Sequence, residues 1–152
     1  MKEGRMTAPG IDTAALCNNL FKADNLKQFL QKNTDALHVP RFHEYIAKLC
    51  RERGEVPERV IKRANMESSF GHQIFSGRRN PSRDTVIQLA FGFEADVELA
   101  QTLLKYAARS PLYPRVKRDA AILYCLHNHI ALVEAQEILH DLDLPLMGGK
   151  EK

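Results

Sequence analysis

The chain has no run of about 18 apolar residues, and no apolar stretch follows its charged opening MKEGRMTAPG. Neither a membrane span nor a secretory leader is expected, which makes the cytosol the expected location. Cysteine is scarce: Cys17, Cys50 and Cys125 are odd in number, far apart and without a C-x-x-C spacing. That argues against a disulfide framework and a cysteine zinc site, and leaves buried thiols as the expectation. Gly71 and Gly77 do not fit G-x-x-x-x-G-K-[ST], H-E-x-x-H is missing, and no pattern marks a nucleophile among the Ser, His and Asp residues. No enzyme, catalytic residue or cofactor is expected. Strand-like alternation is rare, and the only visible echo along the chain, Arg83-Asp84 and Arg118-Asp119, is too short to establish an internal repeat.

What is present is helical periodicity. With 44% hydrophobic residues in 152, the chain can build a real core, as one ordinary domain or a small domain with an appendage. Apolar residues recur at spacings of three and four almost everywhere after residue 20, which predicts an all-α protein. Leu26, Phe29 and Leu30 mark a short helix after Asp24 as N-cap, behind a loose arm of about a dozen residues. Phe42, Tyr45, Ile46 and Leu49 mark a helix over 41–53, stopped at Gly54.

Pro57 opens a helix carrying Val60, Ile61 and Ala64 that ends at Asn65, a residue able to adopt a left-handed turn. A piece over 67–76 closes at Gly77, and two short helices around a tight turn make a helix-turn-helix candidate. Pro81 and a capping Ser82 open the next helix, and Val97, Leu99, Leu103 and Leu104 mark another. Pro114 suits a first helical turn before AAILYCL (120–126), which is apolar almost all round and must be covered on most sides. A last helix is expected over 131–142. This C-terminal pair either packs on the preceding helices or supplies a subunit interface.

Charge is asymmetric. Residues 41–83 hold ten Lys/Arg against five Asp/Glu, and residues 119–152 hold two against six. A basic middle and an acidic end suit a polyanion meeting one face, with a solvated basic surface as the plain alternative. On a helix over 67–76, Met66, Phe70 and Ile74 share the inward side, while Ser68, Ser69, His72, Gln73 and Ser76 point outward. Gln pairs with adenine in two hydrogen bonds, and Ser or His bonds several bases. Arg78, Arg79 and Asn80 follow where they would grip phosphates.

From Phe42 to Tyr106 the chain resembles the lambda-repressor/Cro-like (XRE) helix-turn-helix family, most closely in QIFSGRRNPSRDTVIQLAFGF. The longer pattern, including LYPRVKRDAAILYCL, looks like XRE-type regulators of bacteria. The resemblance implies a five-helix DNA-binding domain over 41–109, an N-terminal arm and short helix over 1–40, and a C-terminal helical hairpin and tail over 110–152. It makes 58–64 the positioning helix and 67–76 the recognition helix. Ser68, Ser69, His72 and Gln73 would face bases, while Arg59, Lys62, Ser76, Arg78, Arg79, Asn80 and Arg83 would face phosphates.

Four positions depart from the family pattern: Ile61 stands for a small Ala, Gly71 for Ile or Val, Asn65 for the turn glycine, and Pro57 near a Gln that meets phosphate. Ile61 and Gly71 are expected to compensate each other, since a large-for-small exchange across one contact conserves volume.

The expected partner is double-stranded DNA, bound by a homodimer whose two recognition helices lie about 34 Å apart. The apolar C-terminal helices would supply the dimer surface or be buried within one chain, and either arrangement would hold the acidic end away from DNA. The rival reading keeps the helix-turn-helix for protein contacts, with the hairpin binding another protein. Cys125, His127, His129 and His140 do not suggest a metal site, because helical residues two apart diverge by roughly 200°. His72 is the one candidate pH switch.

Overall fold

The computed structural model of the chain describes residues 13–37 and 39–148. These contain nine α-helices, one 3-10 turn and no strand. By internal contacts the chain divides after Pro40 into two units. The first carries α1 (Thr13–Lys22), α2 (Leu26–Lys32) and a 3-10 turn (Asp35–Leu37). Helix α1 has no buried residue, with Phe21 and Cys17 exposed. It lies in a stretch where no helix was expected, and Cys17 departs from the expected buried thiol. The N-cap of α2 is Asn25 rather than Asp24: its side chain accepts from the Gln28 N–H at 3.0 Å. The expected loose arm lies outside the described residues.

The second unit begins with α3 (Phe42–Arg53), whose Phe42, Tyr45, Ile46, Leu49 and Cys50 are buried on one stripe. Gly54, at φ 65°, ends it in the left-handed region. Helices α4 (Pro57–Arg63) and α5 (Ser68–Ser76) follow, then α6 (Arg83–Gly92) and α7 (Val97–Tyr106). Ser82 caps α6 by accepting from the Thr85 N–H, as its position predicts. Helix α6 is central. Eight of its ten residues, from Thr85 to Gly92, are buried, and it packs on α4, α7 and a later helix. At Gly92 a side chain would collide with the Val60 carbonyl, so glycine there permits α4 to cross closely.

Helices α8 (Lys117–His127) and α9 (Leu132–Asp141) pair with each other, and they pack back within the unit through α7–α8 and α6–α9 contacts. Of the two expected fates for the hairpin, burial within the chain is realised for this face. Pro114 precedes the helix instead of opening it, because α8 starts at Lys117 with Val116 as N-cap. AAILYCL is covered on most sides, as expected: Ile122, Cys125 and Leu126 are buried, Ala120, Ala121 and Leu123 are half-buried, and Tyr124 is exposed.

The structure contains the internal repeat that the sequence does not reveal. Residues 83–113 and 118–148 correspond at a spacing of 35, as Arg118 stands to Arg83, with only six of 31 paired positions identical. Arg83 Nε donates to the Ser110 carbonyl and Nη2 to that of Pro111. Arg118 Nε and Nη2 donate likewise to Pro145 and Leu146, each acceptor again 35 residues on.

Gln101 grips both backbone groups of Leu112 at 2.8 and 2.9 Å, and Gln136 grips both of Met147 at 2.9 Å. Left-handed residues also match: Glu94 (φ 54°) with His129 (56°), and Ala108 (58°) with Asp143 (59°).

The two hairpins exchange their ion pairs. Arg83 bonds Asp119 through both carboxylate oxygens at 3.3 and 2.9 Å, and Arg118 bonds Asp84 at 3.0 Å twice. The Tyr113 N–H completes Asp119 and the Gly148 N–H completes Asp84. Swapping the hairpins turns each of these contacts, and α6–α9 into α8–α7, so the relation is an approximate two-fold. The lines of paired guanidinium and carboxylate satisfy groups that would be costly if buried alone. Asp84 shows the balance. Burial pushes its carboxyl up, but the hydrogen bonds from Arg118 and Gly148 and the charges of Arg118 and Arg83 outweigh it and hold it below its ordinary value.

Candidate nucleic-acid interface

Two short helices and a tight link build the candidate face. Pro57 occupies the first turn of α4, where its missing N–H is no loss, and Val60 and Ile61 anchor the helix to the core. The link is Ala64 to Glu67. Asn65 sits at φ 57°, and the N–H groups of Asn65 and Met66 return to the Lys62 and Ile61 carbonyls at 3.0 and 3.2 Å. Asparagine thus supplies the left-handed position expected of it.

Helix α5 is seated by Gly71, Ile74 and Phe75, all buried, while Met66 and Phe70 are only half-buried. The Ile61–Gly71 compensation is real. A methyl placed on Gly71 would come within 2.5 Å of Ile61 Cγ2, so the Ile61 side chain fills the space that a larger residue at 71 would need. Glu67 caps the helix, its carboxylate accepting from the Phe70 N–H at 2.8 Å. Glu67 is not among the residues expected at this face; a Glu three residues before a free N–H was the available signal.

Ser68, Ser69, His72 and Ser76 are exposed and Gln73 is half-buried. Ser76 Oγ donates to the Gln73 carbonyl at 3.2 Å. Arg59, Lys62, Arg78, Arg79 and Asn80 are exposed, on α4 and in the loop after Gly77. Arg79 does not hang free. Its Nε donates to Gln73 Oε1 at 3.0 Å, and its guanidinium lies 5.4 Å from the centre of the Phe70 ring. That bond fixes the Gln73 amide with its oxygen toward Arg79 and its NH2 free to donate.

Arg83 is the exception among the expected phosphate residues. It is half-buried and makes four hydrogen bonds within the protein, to Ser110, Pro111 and both oxygens of Asp119. It is therefore a correction: its donors serve the hairpin exchange rather than the outer face. Arg109, which the sequence reading left out, holds the loop instead, bonding the Pro81 carbonyl through Nε and Nη2 at 3.1 and 2.8 Å.

Gly148 donates its N–H to Asp84 in the first turn of α6 and borders a hollow shared with Met66 and Phe70. Cys50 and Cys125 are buried, and burial pushes the Cys50 thiol up to about 11. Among the described residues no group of three or more His, Cys, Asp or Glu could hold a metal ion, and no helix is long and apolar enough to cross a membrane. Comparison with protein-family models, curated proteins and solved structures finds no match for this chain.

Proposed function

We propose that α4 and α5 form a helix-turn-helix within a lambda-repressor-like five-helix arrangement, α3 to α7, and that the protein is a sequence-specific DNA-binding regulator. One observation carries this reading: the outer side of α5 presents Ser68, Ser69, His72 and a clamped Gln73, and the loop beyond it exposes Arg78, Arg79 and Asn80. Helix α5 would lie in the major groove, with the Gln73 amide donating to a base edge. Arg59, Lys62, Arg78 and Arg79 would meet phosphates and set its angle. Regulation would be by occupancy, as a homodimer on two-fold sites.

Enrichment of the purified protein from a random duplex library at near-physiological salt tests this, with affinity followed across salt. Four cations per protomer, eight in the dimer, predict a slope of log affinity against log salt of about −7. A recovered motif with that slope supports the reading; binding that is weak even at low salt, with nothing enriched, ends it. Glu67 at the leading end of α5 favours the second reading, an interaction module that meets a protein, because a carboxylate there repels phosphate unless it accepts from a cytosine amine.

A further inference from the structure

We propose that the cavity between the two hairpin turns binds a small anion with an apolar body. The cavity measures about 600 Å³ and lies at the ends of α4 and α6 and the turn joining α8 to α9. It is built on the internal repeat. Phe91, Glu94 and Ala95 line it from one turn, and their counterparts Leu126, His129 and Ile130 line it from the other. Both turns are held open by a left-handed residue, Glu94 and His129, at φ 54° and 56°. A recess of this size, between about 300 and 1,000 Å³ and mostly apolar, suits a small molecule better than a flat protein surface.

Charge selects the sign of the ligand. Lys62 lines the cavity and makes no ion pair with any described residue. Arg63 beside it is neutralised, bonded to Glu55 at 2.5 Å and to the Gly92 carbonyl at 2.8 Å, and it draws Glu94, the one acidic residue among the lining residues, to 3.9 Å. Lys62 is therefore the charged side chain of the lining that has no ion-pair partner among the described residues. An apolar body would rest against Leu132, Val133 and the paired turn residues, with an anionic head at Lys62. The site does not depend on DNA binding, although Lys62 would then be shared between the ligand and a phosphate.

The test uses the full chain and 1-anilinonaphthalene-8-sulfonate, whose fluorescence rises in an apolar site, beside its uncharged relative N-phenyl-1-naphthylamine. Val133 is exposed, so charges are tolerated there without harm to the fold. The expected result is saturation at one sulfonate per chain, weakened about tenfold by Lys62→Gln, and weakened about tenfold more by Val133→Glu than by Val133→Arg. The uncharged relative should bind about tenfold less tightly than the sulfonate. Absence of saturation, equal binding by all variants, or equal binding of the uncharged relative overturns the proposal. Light scattering on the same samples decides one more case: a dimer broken by Val133→Glu or by the sulfonate would give the cavity to a second copy of the chain and overturn it as well.

Discussion

Arg79 holds Gln73: Nε donates to Oε1 at 3.0 Å, across six residues and around the left-handed Gly77. In the proposed reading, the residue that would grip phosphate thereby also orients the amide that would read a base. Gln73→Ala should cost about 1–3 kcal/mol on the preferred site and relax its base preference. Arg79→Ala should weaken every sequence and also relax that preference. The double variant should lose less than the two singles combined, by about 0.5 kcal/mol or more, in a cycle of binding measurements. Strict additivity would separate the two roles and leave Arg79 to phosphate alone.

Gly71→Ala should destabilise the unit by about 1–3 kcal/mol, since its methyl would meet Ile61 at 2.5 Å. Ile61→Ala in the same chain should recover most of that loss. Urea midpoints of the two single variants and the double one give the comparison. A neutral Gly71→Ala would mean that α4 and α5 separate freely.

Asp84 sets a pH dependence whose sign follows from its lowered carboxyl. Its contribution to stability is full above the ordinary aspartate value of about 3.9 and is lost as pH falls through the lower native value. Asp84→Asn should therefore be less stable than the wild type near pH 7. The gap should lie between the ~1 kcal/mol of an exposed pair and the ~3–5 kcal/mol of a buried one, and it should close at strongly acid pH. Urea unfolding from pH 2 to 7 measures it; a gap that stays constant with pH would rule out this ion pair as the cause.

Gln101→Ala and Gln136→Ala should each cost about 1–3 kcal/mol, because each strands a backbone N–H and C=O of a buried residue, Leu112 or Met147. Equal losses are the expectation of the two-fold relation. A loss at Gln101 with none at Gln136 would show that the second hairpin is held by packing alone.

Tyr45 stacks on Tyr106 with ring centres 4.3 Å apart, and burial, aided by the Tyr106 and Glu52 charges, pushes its hydroxyl up to about 12. Stability is then complete below about 10 and is lost as pH rises through about 12. Tyr45→Phe should remove part of that alkaline loss, read as thermal unfolding between pH 9 and 12.

Local chemistry is what the sequence by itself determined. The all-α class, the stop at Gly54, the left-handed Asn65 and the Ser82 cap all follow from residues that choose a backbone state within a few positions of themselves. The Ile61–Gly71 exchange was legible too, because two departures from a family pattern fell on facing helices. Tertiary structure alone decided where Arg83 and Arg118 point, since each side chain divides its donors between backbone carbonyls that any residue provides and a carboxylate distant in sequence. For the same reason the 35-residue repeat left only six identities in the sequence. Hydrogen bonds to main chain and turns set by φ preserve a hairpin while its side chains change, and only the folded chain brings the two copies together.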